Sequence, residues 1–365
     1  MPKIKDITAY LDQMAPPSYQ ESYDNAGLIV GEPGRDVSNI LVTLDVTEEV
    51  VEEAIQRSCN LIVAHHPIIF KGLKQLTGKN YVERTVMMAL RNNVAIYAIH
   101  TNLDNVHTGV NRKICEKIGL QNLHILAPKR NLLKKLEFFV PEENTSAVLS
   151  ALHEAGAGEV GNYDNCSFRT RGTGSFRPGE GTNPHLGEPH RLEEVAEHKV
   201  EVIFPTYREG TVLRALKEAH PYEEVAYYLL PIDNENQEVG SGMIGELPSP
   251  MQAMEFMRHL KHSMNLNVIR YTRPTGKEIS RVAVCGGAGS FLLPQAKRKK
   301  ADVFITGDFK YHEFFDAEDQ IMIADIGHYE SEVYTKDLLA EILTKKFANI
   351  ASYLSEVVTN PIAYL

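Results

Sequence analysis

From about residue 39 the chain alternates short β-branched apolar runs with amphipathic stretches of helical period. Asn39 to Leu44 predicts a strand, a helix follows from about Glu48, and Leu61 to Ala64 predicts a second strand. The unit recurs with a helix around Tyr81 to Arg91, a strand at Val94 to Ile99 and a helix at Val110 to Ile118 that Gly119 closes. Strands and helices in this alternation predict an α/β sheet.

The rhythm breaks at Pro128-Lys129-Arg130. Beyond it the order becomes strand (Lys135 to Val140), helix (Asn144 to Ala155), strand (Asn165 to Arg171), strand (Lys199 to Phe204), helix (Gly210 to Ala219) and strand (Glu224 to Leu230). This is the βαββαβ order of a ferredoxin-like domain. After Gly245 the α/β rhythm resumes, with a helix at 250–263 and strands at Asn267 to Tyr271, Arg281 to Cys285, Val303 to Thr306, Ile321 to Ala324 and Ile350 to Tyr353. The pattern predicts a two-lobed α/β core, residues 1–130 and 246–365, interrupted by an inserted α+β domain at 131–245. Three domains in series would need a complete core in each piece and would leave the last strand alone.

A length of 365 residues suits this division, and 43% hydrophobic with 24% charged residues excludes a disordered chain. The net charge of −10 opposes a phosphate-backbone binder, so nucleic acid is not an expected partner. The basic clusters, Lys129, Arg130, Lys134 and Lys135, then Lys297 to Lys300, are short and read as solvated surface. Met1 to Gln20 reads as an amphipathic helix ended by Pro16-Pro17, with neither a signal peptide nor a membrane span, and a cytoplasmic location is expected. Cys59, Cys115, Cys166 and Cys285 lie far apart, which argues against a disulfide framework and a thiolate metal site. Any metal must then be held by His and carboxylate.

In open α/β sheets ligands bind beyond the carboxyl ends of the strands. One strand runs into His65-His66-Pro67, where the proline turns the chain and two imidazoles emerge. The next ends in His100-Thr-Asn-Leu-Asp104, placing a carboxylate at the same edge; as an ordinary turn residue Asp104 would cap the next helix. His100 reads as a partner that orients a ligand. A third strand leads to His328 and Glu332, four apart and so on one helix face, the spacing by which helices point two ligands at one ion. Each has a plain alternative as a hydrogen-bonded surface group, but three strand ends converging on these residue types favour a metal site. Five ligands exceed one four-coordinate ion with an open position and suit two divalent ions sharing a carboxylate, with Glu332 the natural bridge. Zinc, iron, manganese and cobalt all fit such donors, with zinc placed first. Cys285-Gly-Gly-Ala-Gly-Ser290 reads either as a plain βα turn or as a phosphate cradle. Asp308, Lys310 and His312, after the next strand, are read as helix-capping residues or as acids, bases and substrate contacts, with His312 and His100 the candidate proton carriers.

Ser22-Tyr-Asp-Asn-Ala-Gly-Leu-Ile-Val-Gly31, Ala64-His-His-Pro67, His100-Thr-Asn-Leu-Asp104, Gly286-Gly-Ala-Gly-Ser290, Thr306-Gly-Asp308 and Gly327-His-Tyr-Glu-Ser-Glu332 together resemble the GTP cyclohydrolase 1 type 2 homologues, a family of dinuclear-metal hexamers. The resemblance implies that His66 and Asp104 bind one ion, His65 and His328 the other, and Glu332 both. It implies a toroidal homohexamer, a dimer of trimers. The inserted segment, with Gly161-Asn-Tyr, Gly172-Thr-Gly-Ser-Phe-Arg-Pro178 and His220-Pro-Tyr-Glu-Glu-Val225, resembles a PII-like or CutA-like domain. Two functions follow as expectations: a metal-dependent hydrolase that uses a bridging water on a nucleotide or related small molecule, or a non-enzymatic regulatory ring whose inserted domain senses an effector or partner.

Overall fold

Ile40–Thr43, Leu61–Ala64 and Ala95–Ala98 are apolar on both faces, as strands covered on both sides must be, and every residue in them is buried. In the computed structural model, which describes residues 1–365, they lie parallel in one sheet, in the order Gly27–Val30, Ala95–Ala98, Leu61–Ala64, Ile40–Thr43, Ser352–Leu354. The last strand pairs in parallel with Ile40–Thr43, so the two ends of the chain build one sheet. Gly27–Val30 closes the opposite edge antiparallel. Thr47 and Asn80 cap the helices Glu48–Gln56 and Tyr81–Arg91 by accepting from the N–H groups of Val50 and Glu83. Val50, Val51, Ala54, Val86 and Ala89 from those helices join the core under the sheet.

A second sheet orders Arg270–Tyr271, Met322–Asp325, Val303–Gly307, Ile279–Ala288, Asn236–Met251 and Gln121–Lys129. Its middle strands Ile279–Ala288, Val303–Gly307 and Met322–Asp325 are parallel. The two sheets belong to one compact unit, Met1–Pro128 with Glu238–Leu365; Lys129–Gln237 forms the other. The chain thus re-enters the first unit at Glu238, earlier than the expected 246, because Asn236–Met251 is a single long strand whose residues from Met243 on pair with Ile279–Ala288. Gly27–Val30 and Gln121–Lys129 are strands that the hydrophobic pattern does not predict. Both lie at sheet edges, where partial burial leaves little periodicity.

The Lys129–Gln237 unit has four strands in the spatial order Phe168–Phe176, Glu193–Pro205, Leu133–Pro141, Tyr227–Ile232, each antiparallel to its neighbours. Helices Thr145–Glu154 and Glu209–Ala219 contribute Val148, Leu149, Leu152, Val212 and Leu216 to one core with Leu136, Phe138, Val200 and Phe204 of the sheet. Strands one and three in the middle make this a split βαβ arrangement. Nowhere is a helix long and apolar enough to cross a membrane.

Candidate metal centre

Two parallel strands of the first sheet and one of the second deliver the polar groups of the site. Leu61–Ala64 ends at His65 and His66, and Ala95–Ala98 leads to His100 and to a single helical turn, Thr101–Asp104, that carries Asp104. Met322–Asp325 leads through Gly327 to the short helix His328–Glu332, where the spacing of four puts His328 and Glu332 on one face. This helix ends at Glu332, and a separate one follows at Thr335–Lys346.

The five side chains converge. His66 Nε2 lies 2.9 Å and His328 Nε2 3.1 Å from Glu332 Oε2, while His65 Nε2 lies 3.5 Å from Asp104 Oδ1 and 3.9 Å from Glu332 Oε1. Each oxygen of Glu332 therefore faces a different set of donors. His65, Asp104 and Glu332 form one group of three whose donor atoms lie within 4.8 Å of one another, and His66, His328 and Glu332 form another. The family resemblance implies a different sharing of ions, His66 with Asp104 and His65 with His328. His65 and His66 are consecutive, so their rings leave the strand end toward different partners: the buried His65 turns to Asp104 and the more accessible His66 to His328.

Every imidazole is anchored from behind. His65 Nδ1–H donates to the Ile99 carbonyl at 2.8 Å, and the Nδ1 atoms of His66, His328 and His100 meet carboxylates of Asp45, Asp308 and Asp24 at 2.7, 2.7 and 2.8 Å. That arrangement fixes each ring and aims Nε2 inward, as it does for metal-ligating histidines. Asp45 is held in turn by the Thr359 hydroxyl at 2.6 Å. Asp308 reaches His328 from a left-handed backbone (φ 57°), the tight turn that Thr306-Gly-Asp provides. Neither Asp45 nor Asp24 stands out as a site residue in the sequence, although Asp45 obeys the strand-end rule, two residues past Thr43.

Two buried polar atoms, His65 Nε2 and Asp104 Oδ1, have no hydrogen-bond partner, and they face each other. Burial, together with the Glu332 carboxylate, raises Asp104 to about 7. Burial works to raise Glu332 as well, but the imidazoles of His328, His65 and His66 outweigh it and hold Glu332 well below the usual range. Burial opposes charge on His66 and His328, yet the hydrogen bonds they donate, to Asp45 and Glu332 from His66 and chiefly to Glu332 from His328, raise them to about 10 and about 9. Left to protons alone, the cluster takes up positive charge at neutral pH; the donors fit a cation.

The glycines of Cys285 to Ser290 serve this carboxylate. A Cβ on Gly287 (φ +62°) would lie 2.5 Å from Glu332 Oε1. His100 sits behind the cluster with its ring 5.3 Å from both His65 and His66, close enough to form a third group with them. His312 is not brought to the site. The turn Tyr311–Ala317 carries it outward, exposed, with its ring against Tyr311 and Phe315.

Three imidazoles and two carboxylates gathered at strand ends of a mixed α/β protein define a class that could hold a metal through His and carboxylate. The chain belongs to the Duf34/NIF3 (NGG1p interacting factor 3) family, which it matches over residues 2–361. It is 38% identical to the GTP cyclohydrolase 1 type 2 homolog of Bacillus subtilis (strain 168), over 99% of this chain and 98% of that protein. The protein of the same name from Halalkalibacterium halodurans is also 38% identical, over 98% of each. Among solved structures, a Bacillus cereus protein related to NIF3 matches with a TM-score of 0.88 at 38% identity, covering 100% of this chain and 99% of that one. A Staphylococcus aureus protein matches with a TM-score of 0.80 at 30% identity and the same coverage.

Proposed function

We propose that the cluster is a dinuclear metal centre, zinc placed first, and that the protein is a metal-dependent hydrolase of a nucleotide or related substrate. The observation that carries this reading is the pair of buried, partnerless donor atoms, His65 Nε2 and Asp104 Oδ1, beside a carboxylate whose two oxygens face separate donor groups. His65, Asp104 and Glu332 Oε1 would hold one ion, and His66, His328 and Glu332 Oε2 the other. Two divalent ions held there would supply Lewis acidity and would make water acidic enough to serve as a nucleophile near neutral pH. His100, fixed by Asp24 through Nδ1, offers Nε2 as the group that moves a proton to or from substrate. The names of the relatives point to GTP as the first substrate to try.

A second reading is a regulatory homohexameric ring whose inserted unit binds an effector. It is favoured by a separate cavity of about 790 Å³ in the Lys129–Gln237 unit, lined by Phe139, Phe176, Tyr222 and Glu197 among others. Metal-reconstituted protein assayed on GTP beside His66→Ala separates the two. The hydrolase reading expects turnover lowered by at least about 100-fold in the variant. Turnover no higher than that of the variant removes GTP hydrolysis and leaves the regulatory reading.

A further inference from the structure

The donor cluster lies at the bottom of a cavity of about 640 Å³. Four aromatic rings line that cavity while remaining open to solvent: Tyr23, Phe70, Tyr81 and Phe291 are 70%, 51%, 58% and 62% exposed. One exposed ring is ordinary; four around a single cavity form an apolar patch of the kind that marks a binding site. Phe70 is set edge-on to His100, ring centres 5.6 Å apart and planes at 85°, which directs its ring along the approach to the cluster. Aromatic faces stack on any planar ring with little regard to its identity.

What the cavity lacks is equally specific. None of its lining side chains is Lys or Arg. Glu21, Asp45, Asp104 and Glu332 line it, and Asp24 and Asp308 stand directly behind His100 and His328. Even the four positive charges of two divalent ions meet six carboxylates. In the glycine turn of the cavity wall the glycine N–H groups are already taken: Gly286 N–H donates to Asn111 Oδ1 at 3.0 Å, Gly287 N–H to the Ser331 hydroxyl and Gly289 N–H to the Thr306 hydroxyl, both at 2.9 Å. Phosphate recognition ordinarily uses cationic side chains or free N–H groups at such a turn.

We infer that the cavity recognises an uncharged planar heterocycle, a base or nucleoside held in the aromatic collar with its edge toward the cluster, and that a triphosphate adds nothing to binding. This rests on the metal-centre reading and narrows its substrate.

Calorimetric titration of the zinc-reconstituted whole chain with guanosine, GTP and inorganic tripolyphosphate tests it, with zinc content measured in the same samples. Guanosine is expected to bind, GTP no more than about threefold more tightly, and tripolyphosphate not to displace guanosine. Phe291→Ala is expected to weaken guanosine by about tenfold, the loss of one stacking partner, with zinc content unchanged, and Phe291→Tyr to restore it. GTP binding tenfold tighter than guanosine overturns the inference, as does displacement by tripolyphosphate, failure of guanosine to bind zinc-loaded protein, or undiminished binding by Phe291→Ala. In those cases zinc is held and the metal centre survives. A chain that holds no zinc fails the underlying reading, and the collar with it.

Discussion

Two regions of this chain bury or crowd charge, and they do so in opposite ways. On the sheet of the Lys129–Gln237 unit, Glu137 stands directly opposite Glu201, a repulsive register that Lys199 offsets by reaching both at 3.0 and 2.8 Å. In the same unit the buried Glu197 accepts from the Tyr222 hydroxyl at 2.9 Å. Each of these acidic groups has a protein partner of the chain's own. In the first unit, by contrast, Glu332 and Asp104 are crowded together with imidazoles, and His65 Nε2 and Asp104 Oδ1 have no partner at all. A buried polar atom left unsatisfied costs about 1–3 kcal/mol, a cost retained where a function needs it. The contrast distinguishes a polar cluster that is complete in itself from one built for something else to complete.

The most forceful way to break the comparison is to make the same substitution in both places. Glu332→Gln replaces by a neutral amide the only carboxylate shared by the two donor groups. Metal content measured after dialysis is expected to fall from about two ions per chain to a small fraction of one. Glu197→Gln, equally buried but already partnered, should leave metal content unchanged. Retention of metal by Glu332→Gln at the level of the parent protein would end the distinction.

How much of this was legible in the sequence depends on whether a signal was local. His65-His66-Pro67 and the spacing of His328 and Glu332 are short patterns tied to strand ends, and the structure brings all four side chains together with Asp104. Which histidine faces which partner was not legible, because it depends on how two consecutive rings leave a bent strand end. Asp45 and Asp24 act on the imidazoles from elements distant in sequence, so no local pattern ties them to His66 and His100; Asp308 is a candidate by its place after a strand, but that place does not announce His328 as its partner. His312 looked equivalent to the others by position, yet its turn winds away from the cavity. In the fold, the fully buried parallel strands were legible from their unbroken apolar runs. The edge strand Gly27–Val30, mostly half-buried, was not.

Asp24 provides an intermediate case that sharpens the comparison: a buried carboxylate beside the cluster whose partners are all in place. Burial works to raise it, but hydrogen bonds from His100 and Thr101 prevail and lower it to about 2. A carboxylate whose folded value lies below its unfolded one, near 4, stabilises the fold above pH 4, and that contribution is lost as pH falls through about 2. The shift corresponds to about 2 kcal/mol at neutral pH. Asp24→Asn, unfolded by urea after chelation, should therefore lie about that much below the parent at pH 7, and the gap should close between pH 4 and 2. A gap independent of pH would mean that Asp24 acts through shape rather than charge.

The smallest effect is expected where the charges are most numerous. Lys199→Ala leaves Glu137 facing Glu201 with Lys135 still reaching both, and water has partial access to the group, which screens the repulsion and hydrates what is left. The unfolding temperature should drop by no more than about a degree, and raising the salt should erase the difference. A larger, salt-insensitive loss would place the network among the groups that hold this unit together, and completeness would then be a source of stability in the inserted unit. The expected near-silence instead makes partner count a poor guide to importance: the cluster around Glu332, with two donor atoms unsatisfied, is the one whose substitution is expected to change what the protein can hold.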